Sequence, residues 1–208
     1  MLKKLMLAAA ALMMLAACNG SKTTHLSGDF GDKAPDRVKV IVGDNFDTVV
    51  AVKDGKFEVD VPVNFTTLSR ARVGMSVYSF ISDGSKITLD PEAGKACSNK
   101  KNGPHTHYIE YVKWMDDFLA DYHKKLDEIG DDKQAADDLF NGMKTQYDEY
   151  QKATIKANKG NILGLMAFRQ IDNGDPKEML PLLNTLSSKM QQLPEVANKK
   201  KEYEEMLK

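Results

Sequence analysis

The stretch Asp47-Thr-Val-Val-Ala-Val-Lys-Asp-Gly-Lys-Phe-Glu-Val-Asp-Val61 decides how the first half of the chain folds. Two apolar-rich runs flank Asp54-Gly55, a dipeptide that tolerates the positive φ angles of a type I′ turn. With Asp54 and Gly55 as the loop, Val52 faces Phe57, Val50 faces Val59 and Thr48 faces Val61, and side-chain alternation puts all six on one face. Lys53, Lys56, Glu58 and Asp60 fall on the other, beside Val49 and Ala51. One apolar and one largely charged side is the pattern of a half-buried antiparallel pair. Such a hairpin is marginal alone in water, so further strands must cover it.

Short runs on either side supply them: His25-Leu-Ser-Gly28, Arg37-Val-Lys-Val-Ile-Val42, Leu68-Ser-Arg-Ala-Arg-Val73, Ser76-Val-Tyr-Ser-Phe-Ile81 and Lys86-Ile-Thr-Leu89. Turn residues separate them at Gly31–Pro35, Gly43–Asn45, Asn64, Gly74 and Asp83–Ser85, and Pro62 ends a strand or lies on an edge. This spacing predicts an antiparallel β-sandwich or partly open barrel over residues 25–91. Residues 92–105, rich in Gly, Pro and polar side chains, read as a linker loop.

The period then changes. Tyr108, Val112, Met115, Leu119, Tyr122, Leu126 and Ile129 form a seam along a long amphipathic helix. Leu139, Met143, Tyr147, Tyr150 and Thr154 make a second stripe, on a helix expected to lie antiparallel to the first. Tyr111 and Trp114 stand off the seam and are expected to dock on the sandwich. Asn161–Phe168 is apolar on nearly every side and predicts a short buried helix. Asp175-Pro-Lys-Glu178 resembles a capping box, and Met179, Leu183, Leu186 and Met190 share the face that follows. Pro194 opens a last, highly charged helix. The fold class is therefore α+β, with an all-helical domain over residues 106–208 behind the sandwich.

The chain has 208 residues, a net charge of −1, 42% hydrophobic and 28% charged residues, with no basic excess that would suit nucleic acid. Residues 1–17 combine a positive start, Met1-Leu-Lys-Lys-Leu5, with an apolar run over Met6–Ala17, too short to span a bilayer. Leu15-Ala-Ala-Cys18 resembles a bacterial lipobox, which implies a signal peptide over residues 1–17, lipidation of Cys18 and a tether over residues 18–24. Residue 19 is Asn rather than the Asp of inner-membrane retention, so by that resemblance the expected site is the outer membrane, facing the periplasm. Cys97 then remains as a lone thiol.

Ser27-Gly28, Lys39-Val-Ile-Val42, Asp54-Gly-Lys-Phe57 and Phe80-Ile-Ser-Asp-Gly-Ser-Lys-Ile-Thr-Leu89 occur in this order. The pattern resembles the domain of unknown function that opens many thioredoxin-like lipoproteins of Gram-negative gut bacteria. In that family a sandwich follows the lipobox, a helical connector follows the sandwich, and a redoxin domain comes last. No Cys-x-x-Cys pair is present here, so the family's dithiol chemistry transfers to no residue. Two readings stand. One is a non-catalytic, membrane-anchored lipoprotein that binds or scaffolds another envelope protein, with no cofactor. The other is the accessory part of a thiol–disulfide oxidoreductase whose redoxin domain is missing or separately encoded. Glycan binding by the sandwich ranks below both, because its exposed strand faces read as charged rather than aromatic.

The remaining candidates have bland readings beside sharp ones. His105, His107 and Cys97 lack a fourth ligand in fixed register, which favours a solvated loop over zinc. Asp131-Asp132 and Asp137-Asp138 lack the alternating calcium-loop pattern and suit a helix N-terminus. Asp47-Thr48-Val49 matches a short O-glycosylation pattern of periplasmic proteins in such bacteria, but the strand register turns Thr48 toward the apolar face. The nucleophile-elbow, phosphate-loop, dinucleotide and His-Glu-x-x-His motifs are absent from the sequence.

Overall fold

The computed structural model describes residues 23–208; Cys18, the lipobox and most of the tether lie outside the described residues. Eight strands come first: β1 (Thr23–Asp29), β2 (Arg37–Val42), β3 (Phe46–Ala51), β4 (Lys56–Pro62), β5 (Asn64–Val73), β6 (Ser76–Ser82), β7 (Lys86–Asp90) and β8 (Lys95–Ser98). They form two four-stranded sheets, in the orders β4-β1-β7-β8 and β3-β2-β5-β6. One apolar core joins them, with Leu26, Phe57, Val61, Ile87, Leu89 and Ala96 from the first sheet and Val38, Val40, Val42, Ala71, Tyr78 and Phe80 from the second. This is the expected sandwich, with two differences. The pair β1–β7 is parallel, in register Leu26 with Ile87. Parallel neighbours need a long crossover, and here the whole second sheet supplies it. Strand β8 also lies inside the stretch read as linker loop; four residues with a single buried side chain, Ala96, give little period-2 signal.

The turn at Asp54-Gly55 forms as read. Asp54 and Gly55 have φ of 50° and 77°, and Lys53 and Lys56 exchange two backbone hydrogen bonds of 2.8 and 2.9 Å. The pairing ends there, which corrects the hairpin. Strand β3 pairs with β2, Val50 opposite Val38, while β4 pairs with β1, Val59 opposite Leu26. The two runs splay from the turn into opposite layers. Phe57 and Val61 are buried while Thr48, Val50, Val52 and Val59 are half-buried, and the apolar residues of both runs line the same core. Alternation named the inward faces correctly, but it carries no information on which strand lies alongside.

The helices follow: α1 (Pro104–Ile129), α2 (Lys133–Ala157), α3 (Ile162–Ile171), α4 (Pro176–Thr185), α5 (Ser188–Gln191) and α6 (Pro194–Met206). Helix α3 is buried on nearly every side, as its composition requires, and Met179, Leu183, Leu186, Met190, Val196 and Tyr203 close over it. Ile81 of β6 belongs to this helical core, and Phe65 and Leu68 of β5 pack against it, so the second sheet is shared between two cores. On α2 the predicted stripe holds and is widened by buried Gln151 and Ile155. On α1 it holds in part and is rotated in part: Tyr108 and Met115 pack against the helical core and Tyr122, Leu126 and Ile129 are half-buried, but Tyr111 is buried while Val112 and Leu119 from the predicted seam are 37% and 47% exposed.

Gly55 sits where an added Cβ would lie 2.7 Å from the Gly31 carbonyl oxygen, at a φ that L side chains rarely adopt. Gly55→Ala should therefore destabilise the sandwich by about 1–3 kcal/mol. Urea unfolding with unchanged m would show it as a lowered midpoint; a midpoint equal to wild type would refute the packing at this corner.

Candidate functional site

Each sheet of a sandwich ends in strands whose outward N–H and C=O groups lack a neighbour. On one flank those strands are β6 and β8. Backbone pairing alternates along an antiparallel strand, and the Asn99 N–H to Lys86 carbonyl bond fixes the phase on β8, so that the Ala96 carbonyl points outward. The same alternation, carried down β6 from its turn with β5, leaves the Ile81 N–H pointing outward. Both groups meet one side chain. The Ile81 N–H donates to His105 Nδ1 at 3.3 Å, and His105 Nε2 lies 3.1 Å from the Ala96 carbonyl oxygen. The first contact makes Nδ1 an acceptor, so the proton sits on Nε2 and is donated to Ala96. His105 is fully buried. Its single ring joins the edge of one sheet to the edge of the other and seats the first turn of α1 between them.

The backbone around the ring is held as well. The N-cap of α1 is Gly103, which brings no capping side chain. Asp83, from the β6–β7 turn, takes that role from outside the helix: it accepts the His105 N–H at 3.3 Å and the Ser85 N–H and hydroxyl at 3.0 and 2.5 Å. A Cβ on Gly103 would lie 2.8 Å from Asp83 Oδ2, so only glycine admits the carboxylate. A carboxylate at a helix N-terminus is also favoured by the helix dipole. Burial holds the His105 imidazole below its ordinary range, partly offset by the Ala96 carbonyl and the Asp83 charge.

The solvated loop expected around the two histidines is not found: both lie in the first turn of α1, and His105 is buried. His105 spends both ring nitrogens on backbone, and His107 Nδ1 lies 3.4 Å from Asn158 Oδ1. Cys97, half-buried and unpaired, faces away from the core on β8. Among the described residues no group of three or more His, Cys, Asp or Glu is placed to hold a metal ion. Asp132 caps α2 by accepting the Ala135 N–H at 3.1 Å. Thr48 is half-buried in the inward row of β3. No described helix is long and apolar enough to cross a membrane.

Beyond the joint, α1 and α2 run on as an arm. Trp114 stacks on Tyr150 with ring centroids 3.6 Å apart and on Phe118 at 4.8 Å, and Phe118 meets Tyr147 at 5.6 Å. Tyr111 donates to Gln151 Oε1 at 3.0 Å, and burial pushes its phenol up to about 12. Tyr111 and Trp114 therefore bind α2, not the sandwich, because the aromatic row Tyr111, Trp114 and Phe118 outweighs the aliphatic seam beside it. The rotation leaves Val112 and Leu119 on one open face of α1, and Phe140 on α2 is 54% exposed. Solvated Asp, Glu and Lys side chains surround these positions. The arm can offer an apolar contact; the described side chains bring no nucleophile and base together along it.

No family model matches the chain, and neither the curated proteins nor the solved structures give a match.

His105→Ala would leave a buried donor and a buried acceptor unsatisfied beside a cavity, a loss of about 2–4 kcal/mol. The pH dependence has a definite sign. The folded pKa lies below 6.5, so the unfolded chain binds more protons and stability falls as pH drops from about 6.5 through the folded value. His105→Gln, which keeps a donor and an acceptor without titrating, should flatten this segment of a melting-temperature profile taken between pH 8 and 5. A profile unchanged by His105→Gln would contradict the assignment.

Proposed function

We propose that the chain is a non-catalytic lipoprotein anchored through Cys18 to the outer membrane, facing the periplasm, where the α1–α2 arm binds or scaffolds another envelope protein. The observation that carries the binding role is the exposure of Val112 and Leu119 on α1 and of Phe140 on α2, on an arm whose Tyr108, Tyr111, Met115, Tyr147, Tyr150 and Ile155 are packed. Exposed apolar side chains on an otherwise charged helix pair are a common mark of a protein-interaction surface. The leader carries the anchoring role: a charged start, a short apolar run and Leu15-Ala-Ala-Cys18. Residues 18–22, at about 3.4 Å each, reach at most roughly 17 Å before β1 begins. An acylated Cys18 would thus keep the sandwich close to the bilayer surface. Acyl chains contribute about 0.8 kcal/mol per buried CH₂, so more than one chain gives a stable anchor.

Two measurements test the two halves separately. A clickable fatty acid fed to the cells should label the full chain, and Cys18→Ser should abolish the label and release the protein from membranes. A photo-crosslinking amino acid at Leu119 should give one discrete adduct in intact envelopes, whereas the same group at Lys124, on the charged side, should not. An unlabelled chain overturns the anchor; equal adducts at both positions, or none, overturn the arm as the binding surface.

A further inference from the structure

The flank opposite His105 has no such bridge. There the edge strands are β4 and β3. Strand β4 is guarded: Lys56, Glu58 and Asp60 alternate along its exposed row, and Pro62 ends it. Strand β3 is not. The Val52 N–H bonds the Asp36 carbonyl at 2.9 Å, which sets the phase of the β2–β3 ladder. The even residues of β3 thus bond to β2, and the backbone groups of Asp47, Val49 and Ala51 point outward. Their side chains are exposed too, Val49 by 54%.

This edge is complementary to itself. If two copies of β3 are laid antiparallel about a two-fold axis through Val49, Asp47 falls opposite Ala51 of the other copy and Val49 opposite Val49. Every outward N–H then faces an outward C=O, and about six backbone bonds form. Charge fits the same register. Asp47 lies near the start of the strand and Lys53 just past its end, and Arg37 sits beside Ala51 on β2. Across the axis each Asp47 meets a small Ala51 flanked by Arg37 and, on the diagonal, by Lys53. Asp47 already reaches Lys39 of its own chain at 2.9 Å, and that contact lies on the same exposed surface. A parallel arrangement would instead set acid beside acid.

We infer that β3 is an interaction surface for a second copy of this chain, joining the two β3-β2-β5-β6 sheets into one continuous sheet across a two-fold axis. Opposed residues of a hydrogen-bonded antiparallel pair have Cα atoms about 5.5 Å apart, within disulfide reach. Val49→Cys in a Cys97→Ser background should therefore form a disulfide-linked dimer on mild oxidation of the full chain. Val77→Cys in the same background is the control, since Val77 is 49% exposed on an edge strand of the same sheet but lies outside the proposed register. At least a tenfold faster dimerisation is expected for Val49→Cys. Asp47→Lys should remove most of that advantage, and Asp47→Lys with Lys53→Glu should restore it. Equal rates at Val49 and Val77 would overturn the inference, whether β3 is free or takes a foreign strand. So would a charge swap that restores nothing. The proposal is independent of the lipid anchor, because each variant is compared within the same chain.

Discussion

One imidazole sets the shape of this molecule. A sandwich of two separate sheets leaves two open flanks, and a helix that joins such a flank must satisfy the strand edges it buries. His105 meets that demand with the smallest possible device, an acceptor for β6 and a donor for β8 on a single rigid ring. In their charged forms a lysine only donates and a carboxylate only accepts. The price is that the ring must stay neutral, in a buried site that also holds the Asp83 charge. Because the ring belongs to the first turn of α1, the same contact fixes where the helix starts and the direction in which the arm leaves.

The two flanks of the sandwich are then unlike in a useful way. One is closed by α1, with Ile81 shared between the sheet and the helical core. The other is left by the splaying of β3 and β4 from the Asp54-Gly55 turn. Had those strands stayed paired, the outward groups of Val49 and Ala51 would face those of Asp60 and Glu58, in the register set by Lys53 and Lys56. Burying apolar side chains from both strands in one core outweighs those bonds, since each contributes only about 0.5–1.5 kcal/mol net in water. The closed flank carries the arm, and the open one leaves an edge with a single charge in its exposed row, Asp47.

Much of this was legible in the sequence, and the rest was hidden for physical reasons. The Asp54-Gly55 turn, the inward rows of β3 and β4, the α2 stripe and the buried α3 all rest on local periodicity or turn chemistry. The layer to which each strand belongs does not, and neither does the parallel β1–β7 pair. Strand β8 escaped because Lys95-Ala-Cys-Ser98 is short and mostly polar, and without β8 no acceptor for His105 could be foreseen. The capping sequence at Asp175 was half right. Asp175 accepts the Lys177 N–H at 2.9 Å, but its own N–H donates to Asn173 Oδ1, and the Glu178 carboxylate accepts from Asn173 Nδ2 instead. The seam on α1 is right at Tyr108 and Met115 and wrong at Val112 and Leu119, because spacing alone does not rank aliphatic against aromatic neighbours, and the Trp114–Tyr150 stack decides the tilt.

The joint between the two sheets and α1 depends most directly on the protonation state of one ring. A long-range ¹H–¹⁵N correlation spectrum of the full chain at neutral pH would read it without perturbing the fold. The structure predicts that His105 shows a bare Nδ1 and a protonated Nε2, with the Nε2 proton protected from exchange. A ring protonated on Nδ1, or one averaging between tautomers like a solvated histidine, would contradict the bridge between β6 and β8 and the placement of the arm that follows from it.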